Sequence, residues 1–455
     1  MFETHEYKGT WWLAADPDKK LAGTLAVRNG KAELEALGHL GPGLTPKEDG
    51  SIVFDFSEPD IPSRVIGQSA TKEDITLEGA PISRFPADIS TYDPPWVLVG
   101  KAFAADDEIA FDEMVVELSD LDAWTRVSGF SIPRPDPELP EERLSGLFDI
   151  EFKRPTSIEI PLDDGDYASI EFSVGHSGWK PVPTSVTVSQ RASVRLRFAE
   201  RHSLNAVARR VGQLRNFFCL AVGRPVSVLS VTAYQDDYRR PDGNHPLPIK
   251  LLWGIPHNAE PPTDARHPMQ MAFTLQECPN GISEVMKAWL AMQEQFAPVF
   301  NLFFGMRYHP DVFGELRFLA YSQALESYDR LRRNTGSAID QRLRATLKHC
   351  PAVRSNLLKA AGVELDEFLA SFADSRNYYT HYTSGPRVNS QATRGALLLV
   401  LTIQLQAIIE MVLLHRLGFS DEAIDQIFTT RLERYRQIAN VKAQASDEDL
   451  VVPQE

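Results

Sequence analysis

Apolar residues in this chain recur mostly every second position up to about residue 200 and every third or fourth from about residue 283. That switch limits the chain to a strand-rich part followed by a helical part. Residues 24–28 and 31–37 flank Asn29-Gly30, a pair suited to a tight hairpin because both can take positive φ. Further strands are expected at 51–56, 65–67, 75–79, 96–100 and 113–118, punctuated by Gly and Pro as in a sandwich or open barrel. Of Trp11 and Trp12, at least one ring is expected in the core. Residues 118–124 read as a strand end with a short helical turn, and 131–150, rich in Pro and Glu, as a linker. A second hairpin at 157–162 and 167–174, with a long alternating run at 184–198, reads as a second sheet.

Ser203 opens the first clear helix, 203–218, whose Leu204, Val207, Val211, Leu214 and Phe218 share one face. Arg209, Arg210 and Arg215 fall largely off that face and are expected to be solvated or paired. Residues 235–268 read as polar loop; His245, His257 and His267 match no metal-ligand spacing. From about residue 283 to 445 the pattern is helical, and 447–455 reads as a frayed tail. The expectation is an α+β multidomain chain: a β-rich region over 1–280, with a sub-boundary near 131–150, and an all-α bundle over 281–455.

Charge narrows the partners. The 455 residues carry a formal charge of −15, which argues against a protein that coats nucleic acid. Residues 1–180 hold 16 Lys+Arg against 35 Asp+Glu, and 181–455 hold 31 against 27, so the second part alone tolerates a polyanion. Three separated cysteines and a polar N-terminus imply neither a disulfide framework nor a signal peptide, and a cytoplasmic protein is expected. The apolar run at 396–409 is broken by Thr402, Gln404 and Gln406, so it reads as a buried core helix rather than a membrane span.

The chemistry concentrates in residues 374–382, Asp-Ser-Arg-Asn-Tyr-Tyr-Thr-His-Tyr. His381 can move a proton near neutral pH, and Arg376 can fork onto phosphate oxygens. Tyr378, Tyr379 and Tyr382 offer faces to unpaired bases, though much of that area is expected to pack. Five residues of regular helix would set Arg376 and His381 about 140° apart, so convergence in one chain needs a turn, a helix start or a distortion. A helical series at 316–328 with a basic tail at 329–333 precedes the motif. Its Glu326 is a candidate to hold Arg376 or His381. There is no Walker loop and no GxGxxG fingerprint.

With Asn377 directly after Arg376, the Arg-x4-His motif between two helical series resembles the HEPN superfamily over about 305–420. The opening, Tyr7-Lys8-Gly9-Thr10-Trp11-Trp12-Leu13 with 16–20 and 23–25, resembles the ApeA N-terminal domain. The two resemblances in this order imply an ApeA-like abortive-infection protein, an anti-phage endoribonuclease that needs no metal or other cofactor. They imply catalysis by Arg376, His381 and Asn377, a homodimer or higher assembly through the HEPN domain, tRNA or another cellular RNA as substrate, and a phage-derived activator sensed by the N-terminal region. The competing implication is a non-catalytic HEPN scaffold whose N-terminal domain senses a ligand or phage protein.

Overall fold

A computed structural model describes residues 4–28, 31–40, 44–46, 52–54, 64–84, 89–131, 151–162, 165–177, 186–243, 245–252, 263–333, 338–381 and 392–448. The chain divides into two compact units. One takes Met1–Asp122, Val127–Gly212 and Ser227–Thr263; the other takes Ala123–Arg126, Gln213–Val226 and Asp264–Glu455.

The first unit is built on antiparallel strands. Asp16–Arg28 pairs with Lys31–Leu37, Arg28 opposite Lys31, as the Asn-Gly turn requires; residues 29–30 themselves lie outside the described residues. Lys31–Leu37 buries Ala32, Leu34 and Ala36 and exposes the residues between, the period of a sheet with one covered face. The core beneath gathers Trp11, Leu25, Leu34, Val65, Leu77 and Tyr92. Trp11 is fully buried, and a Cβ on Gly67 would stand 2.2 Å from its ring, so glycine at 67 lets the indole lie against the neighbouring strand. Trp12 is not part of that core; the Lys20 ammonium stands 4.5 Å from its ring centre.

Two separate sheets were the expectation; instead, fourteen strands among the described residues form one continuous sheet. The joint is Trp96–Val99, paired with Asp74–Glu78 along one edge and with Ile249–Leu252 along the other. Ile249–Leu252 falls inside 235–268, which reads as polar loop. Its four residues bury only Ile249 and Leu251, too short an alternation to register among prolines. The linker expected at 131–150 lies outside the described residues beyond Ser131.

The second unit is helical from Ile282 onward. Its core also takes Trp124 and the last turns of the helix Leu204–Val222. Phe217 meets Trp124, Phe273 and Trp289 edge-on at 6.0, 5.9 and 5.5 Å, and the Trp289 indole donates to the Gln213 carbonyl at 2.9 Å. Ser203 caps the start of that helix through the Ala206 amide at 3.4 Å, and the five apolar residues of its expected face are all buried. Arg210 pairs with Asp166 at 3.2 Å, and Arg215 stacks 4.0 Å over Tyr308.

Gly395–Arg416 has 22 residues and an apolar stretch of mean hydropathy 2.3, long and apolar enough to cross a membrane, but 78% of that stretch is buried inside the protein. It carries buried Glu410, which accepts two 2.7 Å bonds from Arg434 and lies 3.4 Å from Arg307. Burial raises the Glu410 pKa, but the two guanidinium groups outweigh burial and hold it below the usual carboxylate range.

Glu277 shows the same effect nearer the surface. It pairs with Arg431, which holds its pKa at about 2. A depressed carboxylate stabilises the fold above its unfolded pKa, and that stabilisation is lost as pH falls through the folded value. Glu277→Gln is therefore expected to cost roughly 1 kcal/mol at pH 7, because the pair is partly screened. The difference should shrink between about pH 4.5 and 2, as urea melts of both proteins across that range will show.

Candidate active site

Two helices frame a groove in the second unit. On Gly314–Arg333, Leu319, Gln323, Glu326 and Arg330 recur at helical spacing and line one wall. Arg376, Tyr379 and Thr380 of Leu365–His381 line the other. The groove holds about 460 Å3. Leu365–His381 is fixed by a buried stripe of Phe368, Leu369, Phe372, Ser375 and Tyr379. Phe318 meets Phe372 and Tyr379 edge-on at 6.4 and 6.0 Å. The Ser375 hydroxyl accepts from the Thr393 amide at 2.9 Å, and the Tyr379 hydroxyl donates to the Thr393 carbonyl at 3.0 Å, tying the chain just ahead of Gly395–Arg416.

The electrostatic centre is Glu326. Its Oε2 accepts from Arg376 Nη2 at 3.1 Å; its Oε1 accepts from Arg330 Nη2 at 2.9 Å and Arg342 Nη1 at 3.1 Å. Arg330 and Arg376 line the open groove with Glu326, which leaves that wall at +1, while Arg342 is buried and holds Glu326 from behind. Such a site holds its arginines in place and still has N–H groups to offer an anion. Arg330 and Arg342 are additions to the residues singled out above. The Glu326–Arg330 spacing of four is visible in sequence, but Arg342 arrives from another helix, Ile339–Thr346, with no local signal.

Arg376 and His381 lie on one unbroken α-helix, of which His381 is the last described residue. The turn, helix start or distortion that would converge them is absent. Arg376 faces the groove with Thr380, while Asn377 and His381, four apart, share the neighbouring face. Asn377 Oδ1 accepts from Arg376 Nη1 at 3.3 Å, so Asn377 stands between the guanidinium and the imidazole face. His381 is exposed and meets no hydrogen-bond partner among the described residues. Tyr379 is buried and serves packing. Tyr378 is half-buried, with the Arg394 guanidinium 5.2 Å from its ring centre. Tyr382 lies outside the described residues.

Residues 6–289 match the model of ApeA N-terminal domain 1, well over half the chain, and residues 319–423 match that of the Apea-like HEPN domain. The chain belongs to the ApeA family. No curated protein and no solved structure matches it. In this ApeA-like protein the HEPN match runs from Leu319, on one groove wall, through Arg376 on the other and on past His381, so the Glu326 cluster lies wholly inside it. HEPN domains are generally ribonucleases that commonly dimerise, and the pairing found here is that of an anti-phage HEPN nuclease family. Among the described residues, no group of three or more His, Cys, Asp or Glu is placed to hold a metal ion.

Proposed function

We propose that this protein is an endoribonuclease of anti-phage defence, acting by abortive infection through RNA cleavage that uses no metal. The observation that carries the reading is the Arg376–Glu326 pair. It fixes a guanidinium at a groove of net positive charge, five residues along the same helix from an exposed imidazole. The nucleophile is the substrate's own 2′-hydroxyl. Its proton passes to one His381, its oxygen bonds to phosphorus, the P–O5′ bond breaks, and a second acid protonates the departing 5′-oxygen. Arg376 stabilises the charge on the phosphorane-like transition state. Asn377, bonded to Arg376 on the His381 face, orients the imidazole or the phosphate.

One protomer supplies one motif histidine, and it faces about 140° away from Arg376 around the helix axis. A two-fold HEPN dimer that brings two copies of the motif into one cleft supplies both base and acid. The N-terminal unit then acts as the sensor of a phage-derived signal, in the cytoplasm, and tRNA or another cellular RNA is the substrate. The assay is direct. Purified full-length protein should cut RNA with EDTA present, leave DNA of the same sequence intact, and yield 2′,3′-cyclic phosphate and 5′-hydroxyl ends. Linear 3′-hydroxyl products or a strict divalent-ion requirement would overturn the mechanism. RNA binding without any cleavage would favour a scaffold.

A further inference from the structure

A second basic cluster lies away from the groove. Arg332 leaves Gly314–Arg333 about 160° around the axis from Arg330, which lines the groove. Three chain segments meet there. Arg332 and Arg333 end one helix, His349 precedes the helix Pro351–Ala361, and His415 and Arg416 end Gly395–Arg416. Arg332 Nη1 donates to His349 Nε2, and the His349 and His415 rings stand 5.6 Å apart. Arg332 and Arg416 both approach the Tyr328 ring, at 5.8 and 5.6 Å, and Arg416 Nε donates to the Tyr328 hydroxyl at 3.1 Å. Among the described residues, the carboxylate ion-paired with these arginines is Asp329, fully buried, 2.6 Å from Arg333 and 3.7 Å from Arg332.

Charge decides what this cluster is for. Three guanidinium groups against Asp329 leave +2. The carbonyl ends of the two helices offset about half a charge each, so about +1 remains before either imidazole is protonated. Burial lowers the His349 pKa, and Arg332, His415, Arg416 and Arg333 push it the same way. Arg332 thus donates to a neutral imidazole where a carboxylate would be the stronger acceptor. His349 and His415 are both exposed, so the cluster is open to an anion from solution.

We infer that Arg332, Arg416, His349 and His415 form a second phosphate-binding site, separate from the groove, which grips the backbone of bound RNA away from the scissile bond. The inference rests on RNA as the ligand but not on cleavage. The test uses full-length protein carrying His381→Ala, so that RNA stays whole, with a labelled single-stranded RNA and, separately, ATP as probes. His349→Glu with His415→Glu should weaken RNA binding about tenfold at moderate salt. His349→Lys with His415→Lys should tighten it and steepen the slope of log affinity against log salt by about 1.4, since each added phosphate contact contributes roughly 0.7 on single strands. Opposite shifts of this kind cannot come from misfolding. The same opposite shifts for ATP alone would keep the phosphate site and make a free nucleotide its ligand. If neither probe responds in opposite directions, the cluster only caps two helices and the inference fails. Cleavage of a dinucleoside phosphate by the unsubstituted chain, a substrate too short to span both sites, tests the nuclease reading independently.

Discussion

His381→Ala in the full-length chain is expected to slow RNA cleavage by about 10^4-fold, since in the dimer proposed above the single substitution removes both general base and general acid. Arg376→Ala should cost about 10^2- to 10^3-fold by removing the guanidinium to which the proposal gives the transition-state charge. Arg376→Lys should recover little, because an ammonium keeps the charge but loses the fork that reaches both Glu326 and a phosphate. Neither position builds the core: His381 is exposed, and Arg376 lines an open groove. Melting curves should therefore stay close to those of the unsubstituted protein. Rates are read from end-labelled RNA under single-turnover conditions. A wild-type rate in one alanine variant would remove that residue from the chemistry. Mixing excess His381→Ala protomer with the unsubstituted chain adds an arm: activity falls below simple dilution if the two histidines work as a pair, and follows dilution if each protomer cuts alone.

Much of the architecture was legible because it rests on local patterns. Asn29-Gly30 marks a hairpin wherever alternating strands flank it, and Ser203 with its apolar stripe marks a helix. Features made by distant segments were not legible. Ile249–Leu252 is strand only because the edge of Trp96–Val99 is there to pair with, and its four residues carry too little pattern to announce it. Chemistry and spacing single out residues 374–382 as the candidate motif. Yet spacing could not say that Tyr379 turns inward against Phe318 while Tyr378 stays half-exposed, nor that Arg342 joins Glu326 from another helix. Sequence also suggested a clean division near residue 280, and the core of the helical unit reaches back past it to Trp124 and Gln213–Val226.

That reach alters what truncation will do. If the N-terminal part restrains the nuclease, cutting near residue 281 ought to release a toxic fragment. The structure leads to a different expectation: residues 281–455 alone should not fold. Trp289 would lose the edge-on contact with Phe217 and the carbonyl of Gln213 that its indole N–H bonds to. Arg307 would lose the Gly223 carbonyl at 2.8 Å, and Tyr308 would lose both the Arg215 carbonyl and the guanidinium stacked on its ring. Phe217, Phe273 and Trp124 are fully buried. Deleting one such ring costs about 3–5 kcal/mol, and three together exceed much of the roughly 5–15 kcal/mol that holds a domain folded. The fragment should partition into inclusion bodies, or give a non-cooperative melt if kept soluble, and its harmlessness to cells would then say nothing about autoinhibition. A soluble fragment with a sharp thermal transition would show that the helical unit closes its core without those segments. Restraint by the N-terminal unit is better read in the intact chain, from substitutions on that unit that leave Phe217 and Trp124 in place.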